Sequence, residues 1–574
     1  MRKQLCTALL LIFSVVLAYP QDQRKKADQY LKDRNEVYFK FNISDRSALA
    51  DLTRIVSIDD VRGNVVHAYA NTKQFDQFLK LGYSYEVLTP PSMAVPKEEL
   101  MPQKQPKKAA GTLTTWNFYP TYEQYVSYMD SFAILHPDIC RLIDIGTTVQ
   151  GRELLAVEIS DSVNIKQGEP EVLLTSSMHG DETTGYILMM HLIDSLLSGY
   201  GTSPRITNLV NNYEIYINPL ANPDGTYHGG NNTVWAATRE NANGVDLNRN
   251  YPDPKDGQHP DGNAWQPETV AFMAFADSVH LNMSVNFHGG SEVFNYPWDT
   301  WNHIPADDLW WQYVGREWAD TCHTYGPPGY FTDENNGVVR GIVWYEISGG
   351  RQDYHNYFKN DREVTVELSY IKTMYTSQLI NYWNYNFRSF FDYIEEASYG
   401  INGQITDSVT GQPLSAKVFI SGHDVDNSFE YSKLPSGWYY RYLDAGAWDL
   451  SYIATGYHTK VVSGINVAHH QATRQDVQLV PLTFGGVGSR TEVREFQVYP
   501  NPASGMIRLV LPDGIHGVYH LVVYDMTGKS CLSSDLDIQP NELPSLNMGS
   551  LPAGLYQLNL TSGKELLNAR VLVK

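Results

Sequence analysis

The chain has 574 residues, of which 19% are charged and 42% apolar, with 39 Tyr and 12 Trp; this excludes global disorder and is too long for one core, so several domains are expected. The formal net charge of -21 argues against generic nucleic-acid or anionic-membrane binding, which need basic patches, and is compatible with a cationic substrate.

The N-terminus "MRKQLCTALLLIFSVVLAYPQDQ" carries Arg2 and Lys3 ahead of a mainly apolar stretch, Ala8 to Ala18, and then turns polar. That is the pattern of a secretory signal peptide over residues 1–18, cleaved after Ala18. No later segment reaches the ~18 consecutive apolar residues of a membrane span, so the mature chain is expected to be exported with no transmembrane segment. Cleavage leaves Cys140, Cys322 and Cys531. An odd, sparse set is no disulfide framework, although a single bond between Cys140 and Cys322 stays open.

Residues 19–95 mix strand-like and helix-like runs such as "NEVYFKFNI" and "TKQFDQFLKLGYSYEVL", which predicts a small α/β domain. A Pro- and Lys-rich linker follows over 96–114, so this domain is either a removable pro-domain or a permanent accessory. Residues 115–398 alternate apolar strands ("EVLLTSS", "YEIYINPL", "SVNFHGG", "VTVELSY") with helices ("TGYILMMHLIDSLLSG", "QLINYWNYNFRSFFDYIEEA"), the pattern of an α/β domain. Short alternating strands and turn signals over 399–482 predict a small β-sandwich, and 483–574 a second one.

"SSMHGDETTG" puts His179 and Glu182 three apart, immediately after an apolar strand. With 17 histidines in the chain, His-x-x-Glu alone arises by chance, so its context must decide. The context is the end of a strand, where open α/β sheets place their sites. A catalytic zinc needs three protein ligands and one open position. The best third candidate is His288 in "SVNFHGG", again after a strand and followed by glycines; His303, His323 and His355 stand in polar loop or helix contexts. Glu367 draws attention by itself, because a carboxylate between Val366 and Leu368 on an apolar strand is costly to bury unless paired or functional.

The ordered motifs "GTTVQGREL", "HGDE", "NPLANPDG", "TRENANGVDLNRNYPD", "NFHGG", "YEISGGRQDY" and "VTVELSY" resemble the zinc metallocarboxypeptidases, most closely their carboxypeptidase N/E branch. The resemblance implies the carboxypeptidase fold, a mixed eight-stranded-type sheet with flanking helices. It also implies one zinc ion held by His179, Glu182 and His288, with Glu367 as the general base for a zinc-activated water. Arg239 matches the arginine that polarises the scissile carbonyl, and Asn248 and Arg249 the pair that grips the terminal carboxylate, a task that suits the planar fork of arginine. Tyr345 matches the tyrosine that closes over the substrate. Asp299 and Gln352 match the positions that tune the pocket for the last side chain, and an aspartate there implies C-terminal Lys or Arg. The implied activity is that of a secreted metallocarboxypeptidase acting on Lys- or Arg-ended peptides and proteins, with a peptidoglycan or other amidase on the same zinc scaffold as the rival. Asp181 departs from the arginine of the family's digestive branch, which leaves contacts to upstream substrate residues unassigned. Residues 399–482 are similar to the transthyretin-like sandwich of the N/E branch. The end of the chain, "YPNPASG" with "GLYQLNLTSGKELLNARVLVK", is similar to the C-terminal sorting domain of type IX secretion, implying that machinery as a partner and a location outside the cell or on the outer-membrane surface.

Overall fold

A computed structural model describes residues 22–100, 115–163, 165–482, 493–512, 514–539, 543–563 and 565–574. The expected signal peptide and most of the expected linker lie outside the described residues.

After a helix over 22–34, the N-terminal module forms an antiparallel sheet of β1 (Val37–Asn42), β2 (Ser57–Arg62), β3 (Val65–Ala70) and β4 (Tyr85–Val87), in the order β2-β3-β1-β4. Phe39 and Phe41 alternate with polar residues along β1, so both fall on one face. There they meet Phe75 and Phe78 of the helix Thr72–Lys80, whose start is fixed by a capping box between Asn71 and Gln74.

The large sheet has eight strands: β5 (Cys140–Thr147), β6 (Glu153–Ile159), β7 (Glu171–Ser176), β8 (Glu214–Asn218), β9 (Met283–His288), β10 (Glu292–Tyr296), β11 (Val338–Arg340) and β12 (Arg362–Leu368). Their order is β11-β10-β12-β9-β7-β8-β6-β5. The central four, β12, β9, β7 and β8, run parallel to one another and are almost wholly buried, as expected of strands covered by helices on both faces. The helix Thr184–Gly199, apolar nearly all round, lies inside this core, and the helices Tyr122–Leu135, Asp308–Tyr325 and Thr376–Glu396 flank it. Because the four strands are parallel, Ser176, Asn218, His288 and Leu368 all arrive at one edge of the sheet, which is the edge where the motifs lie.

Cys140 and Cys322 are both buried and free, so the bond left open between them is not formed. Cys322 instead sits on the helix Asp308–Tyr325 against Asn386 and Ser389.

Residues 400–479 build a sandwich of two four-stranded sheets. It is anchored to the large module by buried arginines: Arg441 pairs with Asp307 at 2.9 Å, and Arg362 of β12 reaches Glu430 at 3.2 Å. The C-terminal module, a compact unit of its own, packs a five-stranded and a three-stranded sheet around Ile507, Leu509, Leu521, Val523, Leu558 and Val571.

Candidate active site

After β7 the chain turns at Ser177, which takes a left-handed φ of 55°, and the Ser177 Oγ donates to the Glu182 carbonyl at 2.9 Å. The loop then presses against "NPDG". A Cβ on Gly180 would come within 2.4 Å of the Gly225 backbone, so only glycine fits. This fold-back sets the His179 and Glu182 side chains together, with His179 Nδ1 and Glu182 Oε1 3.0 Å apart. His288 closes the group, its Nδ1 lying 3.0 Å from His179 Nδ1 and 2.9 Å from Glu182 Oε2.

The chemistry of this cluster fits a metal. The Nε2 of His179 is engaged by Asp246 at 3.0 Å, which leaves Nδ1 to face the cluster, and Asn286 holds His288 by its Nε2 at 2.9 Å in the same way. Burial pushes His288 down to about 4, so its ring is neutral, as a ligand must be. Burial would raise Glu182, but His179 and Lys372 outweigh it and hold the carboxyl well below the usual range. Two imidazole nitrogens and an ionised carboxylate thus converge on one point, which is a zinc donor set.

Glu367 is the Cα partner of His288 on the adjacent parallel strand, so both side chains leave the same face of the sheet. It is half-buried, and its Oε2, shielded from solvent, has no hydrogen-bond partner. Burial, reinforced by the Glu182 carboxylate, pushes its carboxyl well above the usual range. Arg239 lies across the cluster, with Nη1 3.2 Å from Glu182 Oε1 and Nη2 3.2 Å from Asp246 Oδ2. Asn248, Arg249, Tyr345 and Asp299 line the same pocket. The Nε of Arg249 is buried without a partner. At the pocket's far end Asp299 accepts from the Asn295 amide at 3.1 Å, and burial pushes it up to about 6. Gly341 makes room for it, since a Cβ there would fall 1.6 Å from Asp299 Oδ1.

Gln352 stands apart. It is buried, but its Oε1 accepts from the Thr365 N–H at 2.7 Å, and it is Thr365, not Gln352, that lines the pocket. Asp181 also stands outside the group of His179, Glu182 and His288: it is buried and accepts from the Tyr69 hydroxyl of the N-terminal module at 2.7 Å.

Sequence reasoning missed four neighbours. Asp246 orients both His179 and Arg239; its place inside "GVDLNRN" could have flagged it. Lys372 Nζ lies 2.7 Å from Glu182 Oε1, and a lone lysine five positions beyond Glu367, between Ile371 and Thr373, was the available signal. Ser57 and Asp59 come from β2 of the N-terminal module and had no local signal. Ser57 Oγ receives the Arg239 Nε–H at 2.8 Å and bonds Asp246 in turn, while Asp59 lies 2.5 Å from Lys372 and 3.5 Å from Arg239. Between them the Ile58 carbonyl accepts from Arg249 and from the Tyr345 hydroxyl, both at 3.4 Å.

A cluster of this kind at the carboxyl edge of parallel strands defines a metallohydrolase class of site. The chain belongs to the zinc carboxypeptidase family: the model of that family matches residues 125–389. The mouse carboxypeptidase N catalytic chain is 32% identical over 393 residues, a match covering 60% of this chain and 84% of that one. Human carboxypeptidase D is 33% identical over 373 residues, covering 62% of this chain but only 26% of its own length, so this chain spans about a quarter of that relative. The crystal structure of carboxypeptidase A from Helicoverpa armigera shares the fold, with a TM-score of 0.50 at 18% identity over 63% of this chain and 97% of that one. Residues 497–574 match a secretion system C-terminal sorting domain, which implies export to a secreted or outer-surface location. Among the described residues, no helix is long and apolar enough to cross a membrane.

Proposed function

We propose that the chain is a type IX-secreted zinc carboxypeptidase that removes Lys or Arg from the C-termini of peptides and proteins. The observation that carries this reading is the shared pocket of the His179, Glu182 and His288 cluster with Glu367, Arg249 and Asp299. Zinc held by His179, Glu182 and His288 would supply Lewis acidity and ease the ionisation of a water. Glu367 takes the proton of the attacking water and returns it to the leaving amine; its unpartnered Oε2 is free for that transfer. Arg239 stabilises the oxyanion. Asn248 and Arg249 hold the terminal carboxylate, the Tyr345 hydroxyl closes over it, and Asp299 pairs with the cationic side chain of the last residue. Gln352 tunes this last pocket from behind, through Thr365.

The test is Glu367→Gln: turnover should fall by about 10²- to 10⁴-fold while bound zinc is retained. Full turnover in that variant would sink the assignment of the base.

The same reading divides the chain into a signal peptide (1–18), a pro-domain (19–95), a linker (96–114), the catalytic domain (115–398), a transthyretin-like sandwich (399–482) and the sorting domain (483–574). What supports a pro-domain is the position of Ser57, Ile58 and Asp59: their polar atoms engage Arg239, Arg249, Tyr345 and Lys372, the groups a substrate would need. With that segment in place, substrate is excluded.

A further inference from the structure

A second group of metal-ligating side chains gathers where the first β-sandwich meets the helices. Glu317 on the helix Asp308–Tyr325 and Glu396 on the helix Thr376–Glu396 bring their carboxylates together, and His470, just before the strand Ala472–Arg474, completes the group. One donor atom from each lies within 4.8 Å of the others. His470 Nδ1 is 3.5 Å from Glu317 Oε1 and 3.6 Å from Glu396 Oε1. These separations are long for hydrogen bonds. They do match the spacing of two ligands on one tetrahedral ion, roughly 3.3–3.6 Å for metal–ligand bonds of about 2.0–2.2 Å.

The surroundings hold the three donors in place. The Tyr313 hydroxyl donates to Glu396 Oε1 at 3.0 Å and lies 3.1 Å from His470 Nε2 and 3.3 Å from its Nδ1, so it bridges two of the donors, and the Tyr313 ring stacks on His469 at 3.7 Å. His469 is in turn tied to Asp444 at 2.8 Å, so the loop is pinned and presents His470 from a left-handed backbone, φ 56°. The two carboxylates repel each other: burial and the neighbouring Glu317 push Glu396 up to about 9, and among the described residues His470 is the basic side chain that faces both. Arg205 is taken up by Asp392 and Glu395, and among the described residues no Lys or Arg pairs with Glu317 or Glu396. The Glu396 side chain is 2% exposed and that of His470 56%, so the group is closed beneath and open to solvent above, where a water can complete the shell.

We propose that Glu317, Glu396 and His470 form a second metal site for a divalent ion of the zinc class, stapling the β-sandwich to the helices of the peptidase module. Two carboxylates and one imidazole suit such an ion.

The experiment counts metal on the full-length protein after chelation, dialysis and reloading with Zn²⁺ alone. The expected result is two zinc per chain for the wild type, one for His470→Ala, one for His288→Ala and none for the double variant. A wild type with one zinc, falling to none in His288→Ala, would overturn the second site and leave the proposed active-site metal standing. A wild type with one zinc, lost instead in His470→Ala, would support the second site and overturn the first. Two zinc in His470→Ala would also overturn the proposal. If His470→Ala folds poorly by circular dichroism, Glu317→Gln takes its place, with the same expected drop from two to one and the same contrary result.

Discussion

Asp59 Oδ1 lies 2.5 Å from Lys372 Nζ, so a carboxylate of the N-terminal module forms a buried ion pair beside the Glu182 carboxylate. Removing one partner of a buried pair costs about 3–5 kcal/mol, mainly because the other charge is left unsatisfied. Here Lys372 keeps Glu182 at 2.7 Å, so the cost falls toward the lower end. Asp59→Ala should therefore loosen the module and raise turnover of the uncleaved protein, by tenfold or more on an Arg-ended peptide. Turnover unchanged from wild type would mean that Asp59 does not hold the site shut.

The same interface should respond to pH through Glu36, whose Oε2 accepts from the Glu240 N–H at 3.0 Å. Burial pushes Glu36 up to about 7, against the pull of Arg34. A carboxyl raised in the docked state favours docking fully below its ordinary pKa of about 4.3, and that contribution is lost as pH rises through about 7. Limited proteolysis of the N-terminal module should accordingly quicken between about pH 5 and pH 8, and Glu36→Gln should flatten the profile. A variant that keeps the wild-type profile would assign the pH response elsewhere.

Asp299→Ala should act on specificity more than on catalysis. Leaving a substrate cation buried without its partner costs about 2–5 kcal/mol, or roughly 30-fold and more in kcat/KM for Lys and Arg ends, with little change for Leu ends. Equal losses on charged and apolar ends would place Asp299 in the scaffold rather than the recognition pocket.

The sheet was largely legible in the sequence, because its buried strands show either a short apolar run, Val172 to Leu174 in Glu171–Ser176, or strict alternation, Met283, Val285 and Phe287 in Met283–His288, bounded by turn residues. His179, Glu182, His288 and Glu367 could be picked out for a related reason: His288 and Glu367 are polar residues at or near the end of an apolar strand, His179 and Glu182 follow one in the next loop, and parallel strands bring those ends to one edge. What stayed hidden depends on contacts between modules. Asp59 and Lys372 are far apart in the chain and neither shows a periodic pattern, so nothing local announces that they meet. Gln352 was legible as a position but not as a direction; its side chain turns to the backbone of Thr365 because that buried N–H needs an acceptor. Asp181, a departure from the digestive branch in the sequence, finds its partner in Tyr69 of the N-terminal module, which no motif encodes.

The central claim is tested most directly by digesting peptides that differ only in their last residue, using protein from which the N-terminal module has been released by limited cleavage in the Lys-rich stretch around Lys104 to Lys108. The account predicts release of a single C-terminal Lys or Arg, at a kcat/KM at least tens of times that for Leu or Glu, abolished by a chelator and restored by Zn²⁺. Equal cleavage of every terminal residue, or cleavage that survives the chelator, would contradict it.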